Sequence, residues 1–407
     1  MAVYDDREHY IPLRSSDMLQ LLLNDSTMSG KSEDRALLER FQKLTGAIFH
    51  FEYFEHLEKL KELYGPFDPD RETVVLNPTP ADRRAVMMVE FFEGIGHLLG
   101  KANYTRLDEE AVKKALEGAS DWGINMDVDL EIFERYEIWV RGDLVEKKAK
   151  RHWLFFWTTV DTPVDLYKRF ILVCKLRKHP RLSRYADTEK VYIKVVKDIP
   201  KLDLEMMIPG GRILMPTFQK ILLFVPMILG GAYILFSVAM ALLSQVDEIS
   251  SSGLVGALTL LLGPLAVLAG FALKQYTAFN TTKQKYTLML SEHQYFQTLD
   301  NNLGVLTRLL DEAEEQEVRE VVLGYFFLWK YAGPEGWTEK VLDDTIEKYV
   351  EEKTKLKVDF EIGDSLEKLV KYNLARKVGD RYVAEPIEKA LESLDSRWDN
   401  YFQYNQS

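Results

Sequence analysis

A single cysteine, Cys174, stands among 407 residues. That scarcity excludes an intrachain disulfide, a thiolate zinc site and a redox pair, and it suits a reducing compartment. Cys174 itself reads as a small buried apolar residue. Basic charge is also short: 52 Lys and Arg against 64 Asp and Glu leave a net charge of −12. No nucleic-acid partner is therefore expected, because phosphate affinity is supplied by clustered Lys and Arg. The chain has no Gly-x-Gly-x-x-Gly, no phosphate loop ending in Gly-Lys-Ser/Thr, no His-Glu-x-x-His and no Gly-x-Ser-x-Gly, so the familiar enzyme classes find no foothold and no cofactor is called for. The Glu-x-x-His pairs of di-iron bundles are missing too. His50 and His56 share a stretch with Glu52 and Glu55 but stand six apart, off a facing register, and read as structural; His293 is alone. No metal set is expected. The first residues, MAVYDDREHYIPLRSSD, lack both a signal-peptide apolar core and the Arg-rich, acid-poor character of a transit peptide, so export of the bulk of the chain is not expected.

Charge is absent from two long runs. Ile221 to Leu243 and Leu254 to Leu273 are 23 and 20 residues without an Asp, Glu, Lys or Arg, and about 20 apolar helical residues cross a bilayer. The reading is a transmembrane helical hairpin. Arg212 and Lys220 precede it, Lys274, Lys283 and Lys285 follow it, and the connector carries Asp247 and Glu248, which places both flanking regions on the cytoplasmic side of a bacterial membrane, or in the matrix for a mitochondrial inner-membrane protein. Gly256, Gly263 and Gly270 recur every seven residues as a small-residue seam that Gly230 and Gly231 match, for packing within the hairpin or between protomers of a homo-oligomer. Pro264 is a kink candidate. An ion pathway is disfavoured, because neither run holds an ionisable residue of the acidic or basic kind.

The rest alternates between two periods. From Ser32, LLERFQKLTGAIFHFEYFEHLEKLKELYG repeats apolar residues every three to four positions and stops at Gly65-Pro66, predicting a helix. Further helices are expected over Pro80 to Leu99 and in EEAVKKALEGAS. From Phe133, YEIWVRGD, HWLFFWTTVD, LYKRFILVCKLR and EKVYIKVVKDIP read as four antiparallel strands. Lys274 to Asp300 continues the second run as a helix projecting about 40 Å, or folded back on the first domain. Asp300-Asn301-Asn302 breaks it, and a new helix runs to Gly333-Pro334. The last part orders as helix, helix, hairpin at Gly379-Asp380 and helix, which is winged-helix-like. It holds 17 acidic and 12 basic residues from 334 on, so a protein partner is preferred to DNA.

The expected class is thus an α+β membrane protein. Residues 1–132 form a helical part, 133–212 a basic antiparallel part of the same domain, 213–275 the hairpin with spans 221–243 and 254–273, 276–333 a long helical segment, and 334–407 a winged-helix-like domain.

VYIKVVKDIPKLDLEMMIP before the two runs and YFQTLDNNLGVLTRLLDEAEEQEVREVVLGYFF after them carry a further signal, together with DREHYIPLRSSD, FHFEYFEHLEKLKELYGPFDPD, KANYTRLDEEAVKKAL and the VRGD of Val140 to Asp143. These segments resemble the uncharacterised family that includes mitochondrial transmembrane protein 143. The resemblance spans nearly the whole chain and implies a two-span membrane protein without an established activity, so it assigns no catalytic residue.

Two groups of residues stand out. Asp198, Asp203 and Glu205, with Asp300, Asn301, Asn302, Arg308, Asp311, Glu312 and Glu315, form an acidic and amide-rich collar around the uncharged runs. Asp311 and Glu315 are one helical turn apart and suit a metal or a proton, yet Arg308 with Glu312 and Glu315 with Arg319 make equally good ion pairs. These acids spread over most of a helix circumference, which a simple solvent stripe does not explain. The second group is basic: residues 147–201 hold 15 basic and 5 acidic side chains, against 17 and 30 in residues 1–146. Lys168, Arg169, Lys175, Arg177, Lys178, Arg181 and Arg184 are candidates to grip anionic lipid headgroups, or else neutralise the acidic helices of their own domain. The expected function is a membrane-anchored adaptor or regulatory protein whose C-terminal module recruits a protein. The alternatives are a metal-dependent or hydrolytic enzyme built on the collar and an oligomeric channel.

Overall fold

The computed structural model describes residues 3–4, 8–117, 125–151, 159–184, 186–214, 251–360 and 362–402, with scattered positions between 221 and 240. The helices are α1 (Ser15–Leu23), α2 (Ser32–Tyr64), α3 (Ala81–Lys101), α4 (Glu109–Glu117), α5 (Ser251–Gln297), α6 (Leu303–Lys330), α7 (Glu339–Thr354), α8 (Ile362–Lys371) and α9 (Ile387–Asp399). The strands are β1 (Val3–Tyr4), β2 (Thr105–Arg106), β3 (Asn125–Asp127), β4 (Phe133–Arg151), β5 (Thr159–Leu176), β6 (Val191–Pro200), β7 (Arg212–Leu214), β8 (Thr298–Asn301), β9 (Trp337–Thr338), β10 (Ala375–Val378) and β11 (Arg381–Ala384). The chain divides into two compact units, residues 1–112, 131–201 and 298–407 in one and residues 113–130 and 202–297 in the other. The C-terminal part is therefore no separate domain. It shares its unit with the N-terminal helices.

In the first unit an antiparallel sheet runs β1-β4-β5-β6-β8, with β2 also on β4. The β-branched and aromatic residues of YKRFILVCKL and VYIKVV favour this pleated, half-buried surface, and β5 and β6 pair from Leu166↔Pro200 to Lys175↔Val191. Strand β6 alternates as its sequence does, burying Val191, Ile193 and Val195. The core centres on α6. Its residues Gln316 to Leu328 are buried all round, which marks a helix enclosed by others: α1, α2, α3, α7 and α8 pack on it. Gly324 lets α8 approach, since a Cβ there would lie 2.8 Å from the Ser365 hydroxyl. Helix α7, helix α8, the β10–β11 hairpin and α9 follow the winged-helix-like order, with β9 completing a three-stranded sheet on β11.

Of the four expected strands, YEIWVRGD lies in β4 and VYIKVVKDIP forms β6, while only the last three residues of HWLFFWTTVD fall among the described residues. Residues 152–158 lie outside the described residues, and the segment from Thr159 joins LYKRFILVCKLR in the single strand β5, which pairs with β4 as far as Arg151↔Thr159. In the second unit β3 pairs with β7 from Asn125↔Leu214 to Asp127↔Arg212, and Leu204 to Ile208 are buried.

The structure corrects the expectation of an α+β membrane protein with a transmembrane hairpin, and with it the placement in a bacterial or mitochondrial inner membrane. Helices and an antiparallel sheet are present, but among the described residues no helix is long and apolar enough to cross a membrane. The crossing requires about 20 successive apolar residues. Of the run 221–243 only scattered positions fall among the described residues. The run 254–273 is not an element by itself: it is the first part of the 47-residue α5, which continues unbroken through Lys274, Gln275, Lys283, Gln284, Lys285 and Glu292.

Candidate functional site

The polar side chains of α6 sort into two places. On one side, a guanidinium from the sheet meets the helix. Arg141 on β4 donates through Nη1 to the Ala102 carbonyl at 2.9 Å and pairs through Nη2 with Glu312 at 2.9 Å. It lies between the rings of Tyr10 and Tyr104, 3.9 and 4.4 Å from their centroids. The Tyr104 hydroxyl donates to Glu312 at 2.9 Å, and burial above all pushes that phenol above its ordinary range. Two turns on, the fully buried Arg319 donates to the Leu13 carbonyl at 2.9 Å, to Glu315 at 3.0 Å and to the Tyr10 hydroxyl at 3.2 Å. Gln316 accepts from the Ile11 amide at 3.2 Å. The N-terminal segment is thereby stitched to the helix; its Glu8 also bridges Val358, with the Glu8 amide on the Lys357 carbonyl. Four segments far apart in sequence, around Tyr10, Tyr104, Arg141 and Glu312, close on one buried network. Apart from the buried Arg319 Nε, which has no hydrogen-bond partner among the described residues, its donors and acceptors satisfy each other, which is a structural role.

The other place is open. A cleft of about 770 Å³ lies between α2, α3, α6 and α8, within the size range of small-molecule sites. Helical spacing builds its walls: Glu52, Tyr53, His56 and Lys59 follow one face of α2, Glu90, Gly94, His97 and Lys101 one face of α3, and Lys368, Lys371 and Tyr372 close the third side. At its base Glu317 is 6% exposed. The Lys101 ammonium stands 3.7 Å from it, and the Lys368 ammonium touches the same oxygen. Lys101 also bonds Asp364. Burial works against the Lys101 charge, but the bond to Asp364 and the field of Glu317 outweigh it and raise its pKa. The same bond holds the Asp364 carboxyl below its usual range. Burial, and then the Glu317 charge, drive the Tyr53 phenol far above its ordinary value. Toward the rim, Glu52 accepts from Tyr372 and Arg397, each at 2.7 Å. Among the described residues the lining contains no Ser, Thr or Cys nucleophile. The cleft's charged lining is made of Glu, Lys, Arg and His side chains.

The collar residues expected to converge are instead distributed among separate partners. Asn302 takes φ +48° and pairs with β6, its amide donating to the Ile193 carbonyl at 2.8 Å and its Oδ1 accepting from the Ile193 amide at 3.2 Å. Its Nδ2 donates to Asp70 at 2.5 Å. Asn301 lies on β8 opposite Lys194. Asp300 sits over the first turn of α6, beside Gly304, and meets Arg308 at 3.7 Å. Asp198 pairs with Lys168 at 2.9 Å. Glu205 is buried in the other unit, and the Asp203 side chain lies outside the described residues. Burial pushes the Asp311 carboxyl up, and its neighbour Glu314 bonds His50 at 2.9 Å. Glu312 and Glu315 belong to the arginine network. Among the described residues no group of three or more His, Cys, Asp or Glu is placed to hold a metal ion.

The seven basic candidates do not form one face either. Lys168 is engaged by Asp198 and Lys175 by Glu134 at 2.8 Å. The two are seven positions apart on β5, which turns them to opposite faces of the sheet. Arg169 donates to the Lys168 carbonyl at 3.1 Å, and Arg177, Lys178, Arg181 and Arg184 belong to the connector after β5. Of the glycine seam, a methyl group added at Gly231 or Gly270 would meet nothing within 4 Å. Gly230 is half-buried, and the surroundings of Gly256 and Gly263 lie outside the described residues. Cys174 is buried, and burial pushes its thiol up to about 12, so it is inert as a nucleophile.

Lys101, Glu317 and Lys368 were not singled out by sequence, and His56 read as structural. The available signal was the polar spacing on α2 and α8, but it does not reveal that two helices more than 300 residues apart face each other.

Fold and site together define an α+β protein with a buried central helix and a polar, ligand-sized cleft beside it. Residues 167–304 match the model of a family described as a protein of unknown function, DUF3754. The match runs from within β5 to the first residues of α6 and leaves out every residue lining the cleft. No solved structure matches the chain.

Proposed function

We propose that this protein is a non-enzymatic adaptor or regulatory protein that binds a small polar ligand in the α2–α3–α6–α8 cleft and passes its occupancy to a protein partner through the winged-helix-like module. The observation that carries the reading is the origin of the walls: two come from the N-terminal helices and one from the C-terminal module, so whatever fills the cleft acts on both. Helix α8 buries Ile362, Ser365, Leu366 and Leu369 and directs Lys368 at Glu317. A helix held so is not free to enter a DNA groove, which favours a protein as the module's partner. The pairing-off of the collar residues favours binding over catalysis. The four segments that meet around Arg141 are also among those that carry the wider family resemblance, and this supports extending the relationship beyond the matched residues to the whole chain.

Hydrogen exchange of the full chain, with and without a cellular small-molecule extract, tests the reading. Protection appearing together along 52–63, 90–101 and 364–372 supports it. No protection in the cleft, or protection on one wall alone, removes it.

A further inference from the structure

We infer that the cleft's ligand is a small anion carrying at least one phosphate or carboxylate group, held by Lys368 and Lys371 with Lys59 at the mouth; this rests on the cleft being a binding site. The first observation is an unmet donor. The Lys368 ammonium contacts one oxygen of Glu317 as an ion pair, and its remaining donors have no partner among the described residues. An ammonium offers three donors, and an anionic oxygen entering the cleft supplies the missing acceptor with a charge-assisted bond.

The second observation is how the charges on the walls are committed. Glu90 is engaged by Arg83 at 3.6 Å. Glu52 is taken by Arg397 and Tyr372. Lys59 and Lys371 line the same cleft and meet no carboxylate among the described residues within ion-pair distance, while His56 and His97 add two further donors. Glu62 and Glu93 oppose them from the rim. The base is already arranged for an anion: Glu317 is a carboxylate on a backbone anchor, gripped by Lys101 and Lys368 where they project into the cleft. A ligand oxygen added beside it bridges Lys368 to Lys371, which is one turn away on α8.

The test is calorimetric titration of the full chain with inorganic phosphate, pyrophosphate and citrate, each against sodium chloride at matched ionic strength. The expected result is saturable binding of at least one anion. Lys371→Glu weakens it by at least about tenfold, the scale of a lost charge-assisted contact. Lys348→Glu, at an exposed site on α7 remote from the lining, leaves it unchanged. Lys59→Glu serves as a second variant, so that misfolding of one does not decide the matter. Preference for phosphate and pyrophosphate over citrate identifies a phosphorylated ligand, and the reverse a carboxylate. If none of the three binds, or if Lys348→Glu weakens binding as much as Lys371→Glu, the anion assignment is overturned. Hydrogen-exchange protection of the cleft by extract, together with silence toward all three anions, overturns only the ligand class. Absence of both overturns the site itself.

Discussion

Two charged clusters occupy different faces of α6. At 100° per residue, Glu312, Gln316 and Arg319 fall within one sector and Glu317 about 140° from Glu312. In the first cluster two arginines are sealed between the sheet and the N-terminal segment, and each has several acceptors and ring neighbours. In the second, lysines face a cleft, and Lys368 meets the single carboxylate of Glu317. The difference separates a cluster that ties distant segments together from one that lines a cleft. Arginine's planar fork suits a fixed position with several acceptors, whereas the lysine ammonium on a flexible stem adapts to an entering group.

The comparison breaks most sharply at Arg141. Its removal in Arg141→Ala leaves Glu312 as a buried charge facing Tyr104 alone, and the expected loss is roughly 3–5 kcal/mol, read as a lower urea midpoint with an unchanged slope. Replacing the pair as Arg141→Met with Glu312→Leu is expected to recover most of it, because the desolvation of both charges is removed together. On the cleft side, Lys101→Ala costs about 1 kcal/mol or less, since the ammonium is partly exposed and Glu317 keeps Lys368. Equal losses from the two alanine variants would erase the distinction between the clusters.

Gly324 sharpens it from the packing side. An alanine there places its methyl 2.8 Å from the Ser365 hydroxyl, which now donates to the Glu320 carbonyl at 3.0 Å, and 3.4 Å from Leu369. Gly324→Ala is expected to cost roughly 1–3 kcal/mol by overpacking. Because it displaces α8, it should also weaken anion binding, which Arg141→Met with Glu312→Leu should leave intact.

Local pattern carried the helices well. The three-to-four period of α2 ends where Gly65 and Pro66 end it, and the C-terminal order of helices and hairpin matches α7, α8, β10–β11 and α9. Those features depend on neighbours in sequence. The two uncharged runs show the limit: the helical continuation of the second run past Lys274 was legible, but absence of charge is a property of composition, and among the described residues no helix is long and apolar enough to cross a membrane. The acids of α6 were visible as spread around its circumference, but not why. The reason is tertiary. Glu312 meets Arg141, Glu314 meets His50, Glu315 meets Arg319 and Glu317 meets Lys101 and Lys368, so each face of an enclosed helix needs its own counter-charge. Most of these partners lie far away in sequence, beyond the reach of spacing rules.

The pH dependence separates the cleft from the outer face of the module. The folded-state pKa of Asp364 is depressed by its bond to Lys101. Its stabilising contribution is therefore present above the unfolded value near 3.8 and disappears as pH falls through the lower folded value. Asp364→Asn should thus be less stable than the parent at pH 7 and indistinguishable from it at the acid end of that window, as thermal melts across the range would show.

Asp343 on α7 runs the other way. Burial, then the charges of Glu347 and Asp359, push its carboxyl up to about 6. A raised folded value means that folding favours the protonated form. Below 3.8 both states are protonated and the residue is neutral in effect; between 3.8 and about 6 a cost grows, and above 6 it is complete. Removing the charge in Asp343→Asn should raise the melting temperature at pH 7 by about 2 °C, a small gain because the group is only half-buried and solvent screens part of its charge. The gain should vanish at pH 3.5. Opposite signs for Asp364→Asn and Asp343→Asn in one set of melts would establish that the acidic charge at the cleft is held by a partner while the acidic charge of α7 is crowded by its own kind; the same sign for both would refute it.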